Sequence, residues 1–327
     1  VFGHVLMEQT AGGDTARQTV RYIYMFHMPA FVFVSGFFGK SERSRSFESI
    51  LRLVFLYFVF NSLMGFWRGF GTQTLLTPLV SYWYLPALIA WRVSAHRLAN
   101  AKHILAILFA VAVFIGFLPG IDNTLAATRI LAYYPFYMAG FLLPQEKADA
   151  ILKMHPARRI AAGIAAIAAA GFGMWIAERH LAVPELTCKP YGEAAEAIGR
   201  IAVFAISALA TFALCLLSAD RRIPLLTAFG RNSLWIFLLH RPATMVASRW
   251  FCRGTVATAM AGAVALTLLI TIAFGNRWIV LPLNRWADQG GRLLTETDVR
   301  KTWAARVSVL AVALGFVIKI VFSAHAG

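Results

Sequence analysis

The stretch YIYMFHMPAFVFVSGFFGK, residues 22–40, is nearly all apolar, yet it contains a histidine, a proline, a serine and two glycines. An apolar run of this length is enough to cross the hydrocarbon core of a bilayer as an α-helix. A helix that faced only lipid would need none of these polar or helix-breaking residues. Their presence therefore predicts a cavity or a protein partner at membrane depth.

Similar apolar runs recur along the whole chain. Of its 327 residues, 59% are hydrophobic and 14% are charged, which is far less charge than a soluble domain carries. The runs predict an all-α fold, a polytopic bundle of about ten to eleven transmembrane segments in one domain over residues 1–327. The eleven segments are 1–7, 22–39, 49–67, 79–93, 104–121, 129–144, 160–178, 201–219, 234–251, 260–278 and 304–323.

The two ends of this pattern carry further predictions. The first segment, VFGHVLM, resembles the end of an apolar helix and has no initiator methionine, so we expect the first helix to begin before this sequence. Near the other end, NRWADQGGRLLTETDVRKTW, residues 284–303, predicts an interfacial helix with tryptophan anchors.

Membrane topology explains the strongly basic charge balance. The chain has 31 Lys and Arg against 15 Asp and Glu. One alternate set of loops holds 19 of these basic residues and the other set, with the C-terminal tail, holds 11, so the first set is predicted to be cytoplasmic. This distribution argues against a nucleic-acid-binding protein. The loops predicted to face outward are 8–21, 68–78, 122–128, 179–200 and 252–259.

The three cysteines do not indicate a metal site. Cys188, Cys215 and Cys252 form no CxxC pair, and no HExxH motif is present, so no metal is predicted. Cys215 lies inside an apolar run and is predicted to pack there. Cys188 and Cys252 lie in loops on the same predicted side, but their spacing does not decide whether they pair.

Near the start of the chain, GHVLMEQ places His4 and Glu8 four residues apart, on one face of a helix. A carboxylate beside an imidazole can orient the ring and raise its basicity, as general-base catalysis at a hydroxyl requires. The same spacing also fits a surface histidine at a helix end.

In the opening stretch, Pro29 and Gly36 interrupt the helix, and His27 and Ser35 supply polar groups to the same segment. These four residues predict the wall of a polar cavity. A kinked helix with a satisfied histidine is the structural alternative.

The next segment, KSERSRSFESILR, contains Lys40, Arg43 and Arg45 at the predicted cytoplasmic end of the helix. Such a cluster can bind the phosphates of a nucleotide-bearing cofactor. The positive-inside rule explains the same residues without any ligand.

Three later stretches offer candidate cavity residues. GRNSLWIFLLHRP contributes Asn232 and His240, although Asn232 or Ser233 can also serve as a helix cap. YWYLPALIAW contributes Trp83 and Tyr84, and AYYPFYMAGFLLP contributes Tyr134. Aromatic belts at the membrane interface account for such aromatic residues equally well.

Taken together, these stretches resemble the membrane acyltransferase-3 family, and most closely its fucose 4-O-acetylase-like branch. The combination of GH with FHMP and SGFF is the most specific part, and beyond residue 250 only the hydrophobicity is similar. In the family's order, the resembling pieces are VFGHVL, IYMFHMPAFVFVSGFF, YWYLPALIAWRV, YYPFYMAGFLLP and GRNSLWIFLLHRP.

The resemblance implies an integral O-acyltransferase of the bacterial cytoplasmic membrane, surrounded by lipid. It would take an acyl group, usually acetyl, from cytoplasmic acyl-CoA, the co-substrate, and transfer it to a hydroxyl of a sugar, glycolipid or polysaccharide. The family's catalytic histidine matches His4, as general base or as transient acyl carrier. Arg43 and Arg45 would meet the CoA phosphates.

A transporter or flippase of a glycan-lipid or small solute is the alternative. Broken helices with polar residues near the midplane are also typical of transporters. Against this, the sequence shows no repeated halves and no paired intramembrane carboxylates for ion coupling.

Overall fold

The computed structural model describes residues 1–8, 13–69, 76–118, 126–183, 190–218, 223–251 and 255–294. Every regular element in these ranges is a helix, which confirms the all-α prediction. A short 3₁₀ turn, Ile115–Phe117, follows the sixth α-helix. In chain order the α-helices are α1 Phe2–Met7, α2 Gly13–Phe38, α3 Glu42–Arg45, α4 Phe47–Arg68, α5 Tyr84–Leu98, α6 Ile104–Phe114, α7 Ala127–Leu142, α8 Gln145–Lys153, α9 Pro156–His180, α10 Glu196–Leu217, α11 Pro224–Arg231, α12 Ser233–Phe251, α13 Val256–Phe274 and α14 Arg277–Leu293.

Each of the first ten predicted apolar segments overlaps an α-helix. The eleventh, residues 304–323, lies outside the described residues, as do Cys188 and Cys252. The number of helices that cross the bilayer therefore stays a prediction. Within the described ranges, four helical spans are long and apolar enough to cross a membrane: Phe47–Trp67, Pro156–His180, Glu196–Leu217 and Val256–Phe274.

Helix α2 starts at Gly13, well before the predicted apolar segment at residue 22. Part of the predicted outer loop 8–21 is therefore helical. The extension is polar, with Asp14 in the first turn, where a carboxylate suits the positive end of the helix dipole. Arg21 lies 3.3 Å from Glu178 of α9, an ion pair that connects this extension to a neighbouring helix. A search for apolar runs cannot detect such a polar continuation.

The central core is aromatic and joins α2, α4, α5, α7, α12 and α14. Trp91 and Trp235 are fully buried within it. Trp286 of α14 is also buried, with its ring 5.0 Å from that of Phe55 on α4. The described part of the segment predicted as an interfacial helix, residues 284–294, thus packs on the bundle, and Trp286 is a core residue rather than an interfacial anchor. Trp303 lies outside the described residues.

Helices α2 and α7 are in backbone contact through two glycines. A Cβ atom at Gly36 would overlap the carbonyl group of Tyr137, and one at Gly140 would overlap the carbonyl group of Phe33. Small residues permit this approach between membrane helices. Gly36 therefore serves helix packing, which corrects the prediction that it shapes the cavity wall.

We expect Gly36→Ala to destabilise the protein by about 1–3 kcal/mol, because the added methyl group forces apart two backbones that touch. Gly171→Ala is the matched control, since a Cβ there meets no atom within 4 Å. It should be neutral or more stable by up to about 1 kcal/mol. Thermal unfolding of the purified variants in detergent measures both effects. Equal melting temperatures for the two variants would contradict the contact.

Candidate active site

A cavity of about 740 Å³ opens among α1, α2, α7, α12 and the turn that precedes α5. Concave pockets with mainly apolar walls and a few convergent polar groups are typical of small-molecule sites. Four of the predicted site residues line it together: His4, His27, Trp83 and His240. Its wall also contains residues that are not among the predicted ones, including Tyr24, Ser81, Arg129, Tyr133 and Arg241.

His4 is held at the cavity by the packing of α1. Its neighbours Val5 and Leu6 are buried in an apolar cluster with side chains of α13. The imidazole then makes two polar contacts. Its Nε2 lies 3.3 Å from Oγ of Ser81, and its Nδ1 lies 3.0 Å from Nε2 of His240.

The backbone of α12 determines the tautomer of both rings. Nδ1 of His240 lies 2.6 Å from the carbonyl oxygen of Phe237 and 3.1 Å from that of Ile236. Carbonyl oxygens only accept, so this nitrogen carries the proton. With both rings neutral, His240 Nε2 accepts a hydrogen bond from His4 Nδ1. The lone pair of His4 is then on Nε2, toward Ser81.

Glu8 does not pair with His4, and this part of the sequence-based prediction is wrong. The Glu8 carboxylate lies 3.2 Å from the Arg241 guanidinium. Arg241 is only 5% exposed, in the apolar helix α12, and a buried cation needs a counter-charge. This need for a counter-charge explains why the Glu8 side chain contacts Arg241 of α12 and not His4 of its own helix.

Helix α5 begins at Tyr84, later than the predicted segment 79–93. The residues just before it form an irregular turn that contributes Ser81 and Trp83 to the cavity wall. An apolar turn and an apolar helix look alike in a hydropathy pattern, so the sequence did not separate them.

Buried Asn61 of α4 holds this turn in place. Its Oδ1 accepts a hydrogen bond from the Leu79 N–H at 2.7 Å, and its Nδ2 lies 3.3 Å from the carbonyl oxygen of Thr77. Between this anchor and Ser81, Val80 has φ of 47°, a left-handed conformation that β-branched residues rarely adopt. The surrounding contacts thus maintain a strained turn beside His4.

His27 enters the cavity from α2. Its Nδ1 lies 3.0 Å from the Ile23 carbonyl oxygen, so this nitrogen carries the proton when the ring is neutral. Its ring meets the rings of Tyr24 and His4 edge-on, with centroids 4.5 and 6.4 Å away. Within the described residues, no group of three or more His, Cys, Asp or Glu is arranged to hold a metal ion.

The wall of the same cavity also contains an aromatic and cationic surface. Trp83 stacks on Tyr133 of α7, with ring centroids 5.3 Å apart. The Arg129 guanidinium lies 5.4 Å from the Trp83 ring centroid. This surface can contact a ligand through ring faces and through a positive charge.

Four other predicted residues lie outside the cavity wall. Ser35 and Tyr84 hydrogen-bond each other at 2.6 Å between α2 and α5. Tyr134 pairs with Ser94 in the same manner between α7 and α5. Asn232 donates to a backbone carbonyl at the end of α13. These contacts connect helices, and any part of these residues in ligand binding stays a prediction.

The predicted phosphate-binding residues lie beyond the far end of α2. Lys40 donates to the Leu143 carbonyl oxygen and lies 4.4 Å from the Phe37 ring centroid. Burial lowers the pKa of Lys40, an effect that the nearby Glu146 carboxylate partly offsets. Arg43 is exposed.

Arg45 differs from the exposed Arg43 in being partly buried. Its Nε and that of Arg92 are buried and have no hydrogen-bond partner among the described residues. Arg92 interacts electrostatically with Tyr84 and Tyr137, and Tyr137 in turn with Arg45. The sequence analysis missed Arg92, although a charge inside an apolar helix is itself a signal.

The comparisons with known proteins support the family seen in the sequence, but they do not confirm the predicted fucose 4-O-acetylase-like branch. The acyltransferase-3 family model, described as an acyltransferase domain, matches residues 1–275. Nodulation protein NolL of Mesorhizobium japonicum is 30% identical to this chain over 44% of this chain and 44% of its own length. The chain thus spans less than half of that relative. No solved structure matches.

We expect Glu8→Gln to lower stability by about 3 kcal/mol, because it leaves the buried Arg241 without its counter-charge. The matched control is Asp14→Asn, which removes the carboxylate of the pair with Arg17. Both side chains of that pair are more than four-fifths exposed, so its loss should cost less than about 1 kcal/mol. Thermal unfolding of the two variants in detergent measures this difference in stability. A Glu8→Gln variant as stable as Asp14→Asn would show that Glu8 does not compensate Arg241.

Proposed function

This chain belongs to the membrane acyltransferase-3 family, and on that premise we propose that it transfers an acyl group from acyl-CoA to a hydroxyl of a sugar or glycolipid. Its apolar helices and its family make it an integral membrane protein. We assign it to the bacterial cytoplasmic membrane, with acetyl as the acyl group. The observation that supports the proposal most directly is the His4–His240 pair in the cavity wall.

His4 acts as the general base. Its unprotonated Nε2 faces the cavity, where it can take the proton of a hydroxyl that attacks the thioester carbonyl. The protonated ring can then return a proton to the CoA thiolate that leaves. A positioned acid–base residue typically contributes about 10²–10⁴-fold to the rate. His240 is a positioning residue, since it acts through the tautomer of His4.

Arg241 is suited to stabilise the oxyanion of the tetrahedral intermediate. It lines the same cavity, and its Nε and Nη1 have no hydrogen-bond partner among the residues that the structure describes. Its Nη2 is held by Glu8. A guanidinium fixed in a water-poor pocket stabilises a developing negative charge without reorganisation.

The acyl donor enters from the cytoplasmic end of α2, where Arg43 and Arg45 can bind its phosphates. At about 1.5 Å per residue, His27 lies roughly 16 Å from the end of α2 at Phe38. The donor must therefore reach the histidines with a long and narrow thioester arm, as acyl-CoA does. Arg92 of α5 has a buried Nε and interacts electrostatically with Tyr84 and Tyr137, so the interior of the bundle is polar near this part of α5.

The acceptor hydroxyl enters the cavity beside Trp83 and Tyr133. Sugar rings commonly stack their C–H faces on aromatic rings, and this pair presents such a surface. Tyr24, His27 and Arg129 add polar groups around it. On the predicted topology, this part of the cavity is in the outer half of the membrane, where a glycan-lipid headgroup would meet it.

We expect His4→Gln to reduce acetyl transfer by roughly 100-fold or more, because the base is lost while polarity is retained. The measurement is transfer of radiolabel from acetyl-CoA to a glycan-lipid extract by the purified protein. His155→Gln, at an exposed histidine far along the chain, is the control and should transfer normally. Normal transfer by His4→Gln would remove His4 from the mechanism. Solute uptake by the wild type without any acyl transfer would favour a transporter.

We expect His240→Leu to lose transfer nearly as completely as His4→Gln, whereas His240→Gln should retain a substantial part. The glutamine carbonyl can accept the hydrogen bond from His4 Nδ1 and so preserve the tautomer. The loss should appear in kcat with little change in the KM for acetyl-CoA. Equal activities of the leucine and glutamine variants would contradict the positioning role.

A further inference from the structure

We propose that Ser81 is the nucleophile that carries the acyl group between donor and acceptor, an inference that rests on the proposed acyl-CoA-dependent transfer. The site would then work in two steps through an acyl-serine, with His4 as the base in both. This assigns the covalent role to Ser81 rather than to His4.

The arrangement has the geometry of a catalytic triad. Ser81 Oγ lies 3.3 Å from His4 Nε2, and His4 Nδ1 lies 3.0 Å from His240 Nε2. His240 is itself held by backbone carbonyl groups. A nucleophile beside a base, with the base oriented by a third group, is how serine hydroxyls are activated on unrelated folds. Here His240 takes the orienting part that a carboxylate has elsewhere.

Ser81 differs from three other serines in the helices of this bundle. Ser35, Ser94 and Ser207 each donate to a backbone carbonyl oxygen, which is the usual way to satisfy a hydroxyl in an apolar environment. The hydrogen bond of Ser81 goes to an imidazole nitrogen that carries a lone pair. Ser81 is also only 7% exposed, yet it lines the cavity.

The backbone presents the Ser81 hydroxyl in a fixed position. Asn61 anchors the turn through Leu79, and Val80 is strained immediately before Ser81. On the other side, the Tyr82 hydroxyl donates to the Leu238 carbonyl oxygen of α12 at 3.0 Å. The turn is thus tied to the helix that carries His240. Maintained strain of this kind clusters at functional sites.

In the first step, Ser81 Oγ attacks the carbonyl carbon of the thioester while its proton moves to His4 Nε2. The new Oγ–C bond forms, and the C–S bond breaks when the tetrahedral intermediate collapses. The CoA thiolate leaves and takes the proton from His4. Arg241 stabilises the oxyanion in between.

In the second step, the acceptor hydroxyl attacks the Ser81 ester and gives its proton to His4 Nε2. The bond between the acceptor oxygen and the acyl carbon forms, and the bond to Ser81 Oγ breaks. Ser81 recovers the proton from His4, so no other reactant is needed. The donor and acceptor therefore need not occupy the cavity together.

The test uses the full chain in detergent with radiolabelled acetyl-CoA, without acceptor, followed by acid quenching and peptide mass spectrometry. We expect the peptide that contains Ser81 to gain the mass of one acetyl group and to lose it when a glycan-lipid extract is added. Ser81→Ala should carry no label and should lose transfer by at least about 100-fold. The control is Ser207→Ala, since Ser207 is a buried serine that donates to a backbone carbonyl of α2. This variant should keep both the label on Ser81 and the transfer activity.

Two further variants separate chemistry from folding. Ser81→Cys should form a thioester that neutral hydroxylamine releases, whereas the serine ester should resist that treatment. His4→Gln should fold but acquire no label on Ser81. Label on a cysteine at this position would show that the turn is intact and that residue 81 meets the donor.

The outcomes distinguish this inference from the proposed function. Normal transfer by Ser81→Ala, or transfer by the wild type without any label on Ser81, would overturn the inference and leave the acyltransferase intact. Label on His4 in place of Ser81 would also overturn it. If the wild type neither cleaves acetyl-CoA nor transfers acetyl, the proposed donor itself is wrong, and the inference fails with it.

Discussion

The carbonyl oxygens of Ile236 and Phe237 determine which nitrogen of His4 can accept a proton. They require the proton of His240 on Nδ1, and this in turn requires the proton of His4 on Nδ1 when both rings are neutral. The effect passes through a single 3.0 Å contact between residues 236 positions apart in the chain. The tautomer of His4 therefore depends on how α12 is placed along α1, because this placement brings His240 to His4.

The rest of the bundle is organised so that polar groups at membrane depth have partners. Arg241 has Glu8, and the buried amide of Asn61 binds two backbone groups of the turn before α5. Water cannot satisfy such groups in lipid, so they need partners within the protein. Several buried donors nevertheless have no hydrogen-bond partner among the described residues, and those of Arg241, Arg45 and Arg92 lie in the regions proposed to meet the substrates.

Hydropathy predicted the fold class and the approximate positions of ten helices, because apolar length is what a bilayer selects. Hydropathy failed where polarity does not follow secondary structure. Helix α2 begins with a polar extension, and the residues before α5 are apolar but form a turn. Short motifs located His4, His27 and His240, which the structure brings to one cavity. They gave Glu8 the wrong partner and missed Ser81, because both depend on contacts between distant parts of the chain. No local pattern distinguishes Ser81 from any other serine.

The backbone contact at Gly36 and Gly140 has a consequence for how the cavity can change shape. Helices whose main chains touch cannot slide or separate by small side-chain adjustments, so α2 and α7 should behave as one rigid body. Both helices line the cavity, with His27 on α2 and Tyr133 on α7. Widening of the cavity must therefore come from α1, α12 or the turn before α5, the elements that carry His4, His240 and Ser81. Admission of the proposed acceptor and assembly of the His4–His240 pair would then be coupled movements.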